Sequence, residues 1–342
     1  MYKLLALSTL LLSGSVFADA PGRILFGSCS HQDKDIPIFN SIIEDDPEVF
    51  VFLGDNVYGD TEDMSVLQNK YEKLGSKPGF KELKEQAELI AIWDDHDYGA
   101  NDAGKDYPKK EASRDIMLDF WGEPESSPRR TREDGIYTSY TYGEGEESIH
   151  VILPDLRWNR DDIAHVTREE YANERKPKNM GPYKVHSDPN ASMIGEKQWQ
   201  WLEEQLQKPA RIKVIGSSLQ LLADFTGWES WANFPSDRQR LFNLIKKHKV
   251  NGVILISGDT HWGEISYYDE DLDYPLWEVT SSGLTQEWKD VSPNKHRIGQ
   301  FINNPGRHRR VHLAGEFDET CINVILSGFP GQIKRVNGNT VA

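Results

Sequence analysis

The sequence predicts an α/β fold in which two packed, mixed β-sheets are flanked by helices. Three observations predict it. In the N-terminal half, short apolar runs alternate with stretches of helical spacing, the order that builds parallel strands with crossover helices. Further along, parallel-type runs mix with hairpins, which a single parallel sheet does not accommodate. Four apolar runs, at 24–31, 49–60, 89–97 and 253–261, also end alike, each delivering Asp, His, Cys or Tyr to a strand terminus. A hydrophobic content of 37% with ten tryptophans supports a real core, and one domain is expected over residues 21–342.

Each element follows from its local pattern. Residues 23–28 read as a strand and 36–44 as a short amphipathic helix. The run 48–53 is apolar up to Gly54, as a strand covered on both faces should be. Residues 64–75 and 79–86 show helical spacing, 89–93 is the next strand, and 109–121 is a helix. A polar linker at 124–132 leads to a hairpin of 137–142 and 148–153 around Gly143-Glu144-Gly145. Residues 161–191 are polar and without period, a loop length that usually marks a lid or another functional segment. Helices are expected at 195–207 and 237–248, and strands at 211–216, 253–257, 263–269 and 276–280. An irregular stretch, 285–310, carries Lys295, His296, Arg297, Arg307, Arg309 and Arg310. The last strands are expected at 311–313 and 321–326.

Residues 1–20 combine Lys3, an apolar run from Leu4 to Leu12 and small residues before a cut after Ala18 or Ala20, which reads as a secretory signal. The apolar run is shorter than the roughly 20 residues a membrane span needs, and no other segment is apolar enough. The expected compartment is therefore periplasmic or extracellular. The formal net charge is −16, and removing residues 1–20 leaves it unchanged because Lys3 and Asp19 go together. Such an acidic surface argues against a nucleic-acid scaffold as partner, and no protein partner is indicated. Bound cations can still turn an acidic chain toward anionic substrates. The two cysteines, Cys29 and Cys321, allow a disulfide or a Cys29 thiolate ligand, and the position of Cys29 at a strand end beside Ser28 and His31 favours the ligand.

The chemistry-bearing residues cluster at strand ends, where open α/β sheets place their ligands. Gly54, Asp55 and Tyr58 bring a carboxylate and a phenol within reach of one point, a donor set suited to Fe(III). Trp93-Asp94-Asp95-His96-Asp97 sets adjacent carboxylates that repel unless a cation lies between them. His96 there is a candidate to protonate a leaving group, with a plain salt link to an aspartate as the alternative. Asp259 and His261, two apart, would point the same way in an extended segment and bind one metal or two neighbours, with Trp262 as a wall. Arg157 is a candidate phosphate clamp, or else a structural partner of Asp155 or another acid, and Gln220 is a weaker candidate of the same kind.

Together, Gly27-Ser28-Cys29, Leu53-Gly54-Asp55 with Tyr58, Trp93-Asp94-Asp95-His96-Asp97, Asp155 with Arg157, and Ser257-Gly258-Asp259-Thr260-His261 followed by Glu264 resemble the alkaline phosphatase D (PhoD-like) family of metallophosphoesterases. The resemblance runs in order over about residues 23–283. The G-D-x-x-Y element is also similar to that of purple acid phosphatases. Asp95-His96-Asp97 takes the place of the Asn-His-Asp of calcineurin-like phosphoesterases, and Asp259-Thr260-His261 that of their His-x-His.

The resemblance implies a two-layer β sandwich flanked by helices, a four-layer α/β/β/α metallophosphatase-like arrangement, with Fe3+ and one or two Ca2+. It implies Cys29, Asp55, Tyr58 and His261 around iron, and Asp55, Asp95 and Asp259 on the calcium side with Asp55 bridging. His96 matches the position that assists leaving-group departure. The chain starts its catalytic segment almost directly after the signal, and the stretches 161–191 and 285–310 are its own. The expected activity is hydrolysis of small or polymeric phosphate esters by metal-activated hydroxide, with Arg157, Gln220 and Trp262 touching substrate. One alternative is a dedicated phosphodiesterase acting on lipid head groups or polyol-phosphate polymers. Another is a calcium- and phosphate-binding protein without turnover.

Overall fold

The computed structural model describes residues 20–145, 148–270 and 272–301, together with the backbone of two later strands. In chain order the first elements are β1 (Arg23–Gly27), α1 (Ile38–Glu44), β2 (Val49–Leu53), α2 (Met64–Ser76), α3 (Pro78–Gln86) and β3 (Glu88–Ile92). Then come α4 (Asp95–Tyr98), α5 (Lys110–Trp121), α6 (Pro128–Thr131), β4 (Thr138–Tyr142), β5 (Ile149–Leu153), α7 (Arg168–Glu170) and α8 (Glu196–Gln207). The chain continues through β6 (Ile212–Ser217), α9 (Pro235–Lys247), β7 (Val253–Ser257), β8 (Gly263–Tyr268) and β9 (Leu276–Ser281). It ends with β10 (Arg297–Phe301), β11 (Arg310–Ala314) and β12 (Asn323–Ser327). The signal-like residues 1–19, Cys321, Arg307 and Arg309 lie outside the described residues.

The strands form two mixed sheets, in the orders β12-β11-β1-β2-β3 and β10-β8-β9-β7-β6-β5-β4. In the first, β1, β2 and β3 are parallel, with Ile24 opposite Val49 and Val49 opposite Glu88, and β11 and β12 extend the sheet antiparallel. In the second, β5, β6, β7 and β9 run parallel, while β4, β8 and β10 pair antiparallel. The connections β1–β2, β2–β3, β5–β6 and β6–β7 carry helices, whereas β8 lies between the parallel strands β7 and β9. Asp63 caps α2, accepting from Ser65 N at 3.0 Å, and the extended backbone of Lys77 before Pro78 ends that helix and starts α3.

Side-chain alternation explains how the sheets stack. Ile149, Val151 and Leu153 of β5, Ile212 and Val214 of β6, and Ile254 and Ile256 of β7 join the core of the first sheet. The alternate residues Ile152, Ile215, Val253 and Leu255 join a second core with Trp199 and Leu202 of α8 and Leu241 and Ile245 of α9. A period of two thus sends one face to the neighbouring sheet and the other to helices. The far face of the first sheet carries Phe50 and Phe52, and Phe52 meets Phe39, Phe80 and Trp121 at ring distances of 6.5, 6.0 and 4.9 Å. The result is the expected helix, sheet, sheet, helix layering.

Some local expectations shift. The segment after β3 turns directly into α4, and the linker at 124–132 contains α6. The 285–310 stretch contains β10, an edge strand with a register shift between Arg297 and Gly299 and an exposed Ile298, which left little apolar alternation to read. The 161–191 stretch is tied down: Gly181 N donates to Thr226 O at 3.0 Å and Tyr183 N to Gly227 O at 2.8 Å. No helix among the described residues is long and apolar enough to cross a membrane.

His150 on β5 gives the fold a dependence on pH. Burial pushes its imidazole down to about 4, helped by Lys208 and Lys213, and Nδ1 pairs with Thr141 Oγ1 at 2.8 Å. A base whose folded pKa is depressed favours the neutral folded state, so its stability contribution is present above the ordinary value of about 6.5 and is lost on acidification toward 4. Thermal melts of a His150→Gln variant should lose less midpoint between pH 6.5 and 4 than the parent protein, a comparison that isolates this one imidazole.

Candidate metal centre

The donors that could bind cations stand just past strand ends. Cys29 follows β1, Asp55 and Tyr58 follow β2, Asp94 and Asp95 follow β3, and Asp259 and His261 follow β7. Tight turns bring these ends together. Ser28 bridges to Ser282 in parallel fashion, Cys29 N donates to Gly54 O at 3.3 Å, and Gly258 N donates to Ser218 O at 3.2 Å. Gly54 has φ +91, and a Cβ there would overlap the Asp94 side chain, so only glycine lets the second and third strand ends approach this closely.

Four donors sit in the left-handed backbone region that L-residues avoid: Cys29 at φ 65, Asp55 at 49, Asp259 at 67 and His261 at 64. Each such residue costs on the order of 1–3 kcal/mol, and clusters of them mark functional sites. This corrects the expectation for Asp259 and His261. They do not alternate along an extended segment; a tight turn, with Thr260 N donating to Gly258 O at 2.9 Å, aims each one separately.

The side chains converge. The Cys29 thiol lies 3.4 Å from Asp55 Oδ2, and the Tyr58 hydroxyl donates to the same oxygen at 3.4 Å. Tyr58 Oη is also 3.1 Å from His261 Nε2. Cys29, Asp55 and His261 offer ligand atoms within 4.8 Å of one another, and so do Asp55, Asp94, Asp95 and Asp259. Asp55 belongs to both groups. Asp55, Asp95 and His96 form a third such group, and Asp95, Asp102 and Glu229 a fourth.

The electrostatics favour a bound cation. Burial, then Cys29, Asp95, Asp94 and Asp259, raises the Asp55 carboxyl well above the carboxylate range, and burial with Asp94, Asp95 and Glu229 does the same to Asp259. Burial pushes the Cys29 thiol up to about 12 and also raises the Tyr58 phenol. It pushes His261 down to about 4, leaving a neutral imidazole suited to ligation. Asp55 Oδ1, Asp94 Oδ2 and Asp95 Oδ1 are buried without a hydrogen-bond partner. An unsatisfied buried oxygen costs about 1–3 kcal/mol, which a bound cation would remove. The donor set therefore fits metal, with thiolate, phenolate, imidazole and carboxylate on one side and carboxylates alone on the other.

The remaining sequence candidates occupy distinct places. Arg157 is fully buried, its Nε donating to Asp94 Oδ1 at 2.6 Å and its Nη1 to Glu229 Oε2 at 2.8 Å, while Nη2 lies 3.6 Å from Asp95 Oδ1 and has no hydrogen-bond partner. His96 pairs through Nδ1 with Asp60 Oδ1 at 2.7 Å and packs on Tyr58, which His31 covers from a second contact at 4.7 Å. Burial opposes its charge, but the Asp60 bond and the Asp95, Asp60 and Asp94 carboxylates outweigh it and push His96 up to about 9. Gln220 Nε2 donates to Thr280 Oγ1 at 3.0 Å, and buried Trp262 donates to Glu264 Oε2 at 2.9 Å. Cys29 is a buried free thiol.

Other residues at the site were not singled out from the sequence. Ser28 and Ser282 hydroxyls flank the Cys29 sulfur at 3.3 and 3.2 Å, and Ser218 donates to Asp94 Oδ1 at 2.8 Å. Glu229 joins Arg157 to Arg160, and Asp60 holds His96. Ser218 lies two residues from Gln220 and follows a strand, so the strand-end rule reaches it; Glu229 comes from an irregular stretch that carries no such signal.

Fold and donors define the class: a two-sheet α/β protein built around a candidate polynuclear metal centre. The PhoD-like phosphatase family model matches residues 67–315, and the chain belongs to that family. Cys29, Asp55 and Tyr58 precede the matched region. Alkaline phosphatase D of Bacillus subtilis (strain 168) is 25% identical over 242 residues, 64% of this chain and 37% of that relative's length. A solved structure of PhoD superposes with a TM-score of 0.68 at 16% identity, covering 95% of this chain and 73% of that one, a likeness of fold. A dimetal phosphatase from Danio rerio gives a TM-score of 0.48 at 14% identity over 85% of this chain and 94% of its own.

The close approach at Gly54 gives a direct test of how the centre is assembled. Gly54→Ala should lower the unfolding free energy by about 3 kcal/mol, from left-handed strain plus overlap with Asp94. Denaturant titration measures it, and a loss below about 0.5 kcal/mol would mean that the strand ends need not approach so closely.

Proposed function

We propose that this protein is a metal-dependent phosphoesterase that hydrolyses phosphate mono- or diesters outside the cytoplasm. The observation that carries the reading is the shared position of Asp55. Its carboxylate stands in one group with a thiol and an imidazole, beside the Tyr58 phenol, and in another with Asp94, Asp95 and Asp259. Fe3+ suits the first group, held by Cys29, Asp55, Tyr58 and His261, and one or two Ca2+ suit the second, held by Asp55, Asp95 and Asp259 with Asp94 beside them. Bound there, the cations would lower the pKa of water and neutralise charge on phosphoryl oxygens.

The remaining work falls to the chain's own groups. Arg157 holds Asp94 and Glu229 in place, and its Nη2, 3.6 Å from Asp95 Oδ1 and without a hydrogen bond, is the donor left for a phosphoryl oxygen. His96 has Asp60 on Nδ1, which fixes the tautomer and leaves Nε2 to carry a proton to the departing alcohol. Gln220 and Trp262, both buried with their donors on Thr280 and Glu264, would back the substrate cleft from behind. Residues 1–20 serve as the export signal and residues 21–342 as one catalytic domain, so the mature protein should begin at residue 19 or 21 by N-terminal sequencing.

Protein purified without chelator should contain iron and calcium by elemental analysis, and Tyr58→Phe should lose the visible Fe(III)–phenolate absorption. Zinc as the sole metal would overturn the donor assignment. Calcium at about 100 times its Kd should add about 2.7 kcal/mol to the unfolding free energy, and Asp259→Asn should remove most of that gain.

His96→Ala should lower kcat/KM for alkyl phosphates by about 100-fold or more while affecting p-nitrophenyl phosphate far less, because p-nitrophenolate departs without a proton. Equal losses on the two substrates would remove the acid role of His96.

A further inference from the structure

Val185, Trp288 and Ile298 are the exposed large apolar side chains among the described residues, and Trp288 is 42% exposed beside the candidate metal centre. Its backbone N–H donates to His261 O at 3.1 Å. The chain reaches it along the same loops, with Leu284 N donating to Ser28 O at 3.0 Å and Thr285 N to Cys29 O at 3.1 Å. The indole is held in place: Nε1 donates to Asp290 O at 3.1 Å, and the ring meets Trp228 at 6.1 Å in an edge-on arrangement of 76°. Trp228 precedes Glu229, the partner of Arg157, and its loop is anchored where Gly181 N donates to Thr226 O at 3.0 Å. Two stretches without secondary-structure period thus deliver two tryptophans to one place, each a single step from a residue of the metal cleft.

An exposed indole with its own N–H already paired offers an apolar ring face and no hydrogen bond. That favours a flat ring over a polyol, whose hydroxyls need donors and acceptors. A quaternary ammonium is the other common aromatic ligand; the segment carries both the Lys34 ammonium, on Thr285 O at 3.3 Å and Gln286, and the Glu287 and Asp290 carboxylates beside Trp288, so its charge does not select a cation. We infer that Trp288, braced by Trp228, is a stacking platform at the rim of the cleft, and that the preferred phosphate ester carries an aromatic ring on its alcohol half. This rests on the phosphoesterase reading and adds a specificity residue to it. Trp288 acts on binding and not on the reacting atoms.

The test compares holoenzyme, Trp288→Ala and Trp288→Phe on phenyl phosphate, glycerol phosphate and phosphocholine. Trp288→Ala should lose about tenfold or more in kcat/KM on phenyl phosphate, the size expected for one lost aromatic stack, through KM with kcat nearly unchanged. The other two substrates should change less than about twofold, and Trp288→Phe should recover most of the loss. An equal loss on all three, no loss, or a loss confined to phosphocholine or glycerol phosphate overturns the platform. If the parent protein hydrolyses none of them and not bis-p-nitrophenyl phosphate either, the phosphoesterase reading fails, and calorimetry of the metal-loaded protein tests the platform separately. Phenylphosphonate should then bind about tenfold tighter than methylphosphonate in the parent and not in Trp288→Ala, and equal affinities in the parent overturn it.

Discussion

Four carboxylates that repel one another are held together at the meeting point of two sheets. Asp55, Asp94, Asp95 and Asp259 present ligand atoms within 4.8 Å, the first three buried and Asp259 partly so. Solvated carboxylates would separate; these are fixed by short turns from rigid strands. Arg157 offsets part of the charge, and its influence is uneven. Burial alone would raise Asp95, but Arg157, His96 and the Asp102 N–H outweigh it and hold that carboxyl down at about 2. Asp55 makes no ion pair with the guanidinium and is raised instead. The chain therefore compensates only part of the charge at the centre, and the rest would fall to bound cations.

That division ties stability to metal. A cation seated among these oxygens satisfies buried lone pairs and cancels repulsion at once, so its binding free energy adds to the folding free energy. The left-handed residues Cys29, Asp55, Asp259 and His261 act in the opposite direction, since their backbone strain opposes folding. Strain and repulsion both fall on the same few turns, and both are tolerated because the apolar strands behind them are buried on two faces.

Where the information is local, the sequence reveals it. The strands β1, β2, β3 and β7 are unbroken apolar runs, and the polar residues that end them are the donors, so the first three groups of the centre could be read from adjacency alone. Family resemblance added which of them belong together. What adjacency cannot show is reach. Glu229 comes from a stretch with no period and Asp60 from the loop at the end of the 49–60 run, and their partners Arg157 and His96 are 72 and 36 positions away. The Asp259-Thr260-His261 spacing was legible but its geometry was not, because a left-handed turn leaves no mark in composition when aspartate and histidine replace glycine.

The candidate donors owe their positions to two carboxylates that are not in these donor groups. Asp97 accepts from Asn56 Nδ2 at 2.6 Å, from Asp94 N at 2.7 Å and from Tyr71 Oη at 3.2 Å, joining the loops after β2 and β3 to α2. Asp155 accepts from Trp93 Nε1, Ile136 N, Arg157 N and Trp158 N, all between 2.9 and 3.1 Å, joining the end of β3 to the loop that carries Arg157. Each stands at the end of a different sheet, and each has its oxygens taken up by donors. Repelling side chains can be kept at fixed separations only by neighbours with no freedom of their own. The precision of the centre is thus set one layer out, by Asp97 on the first sheet and Asp155 on the second.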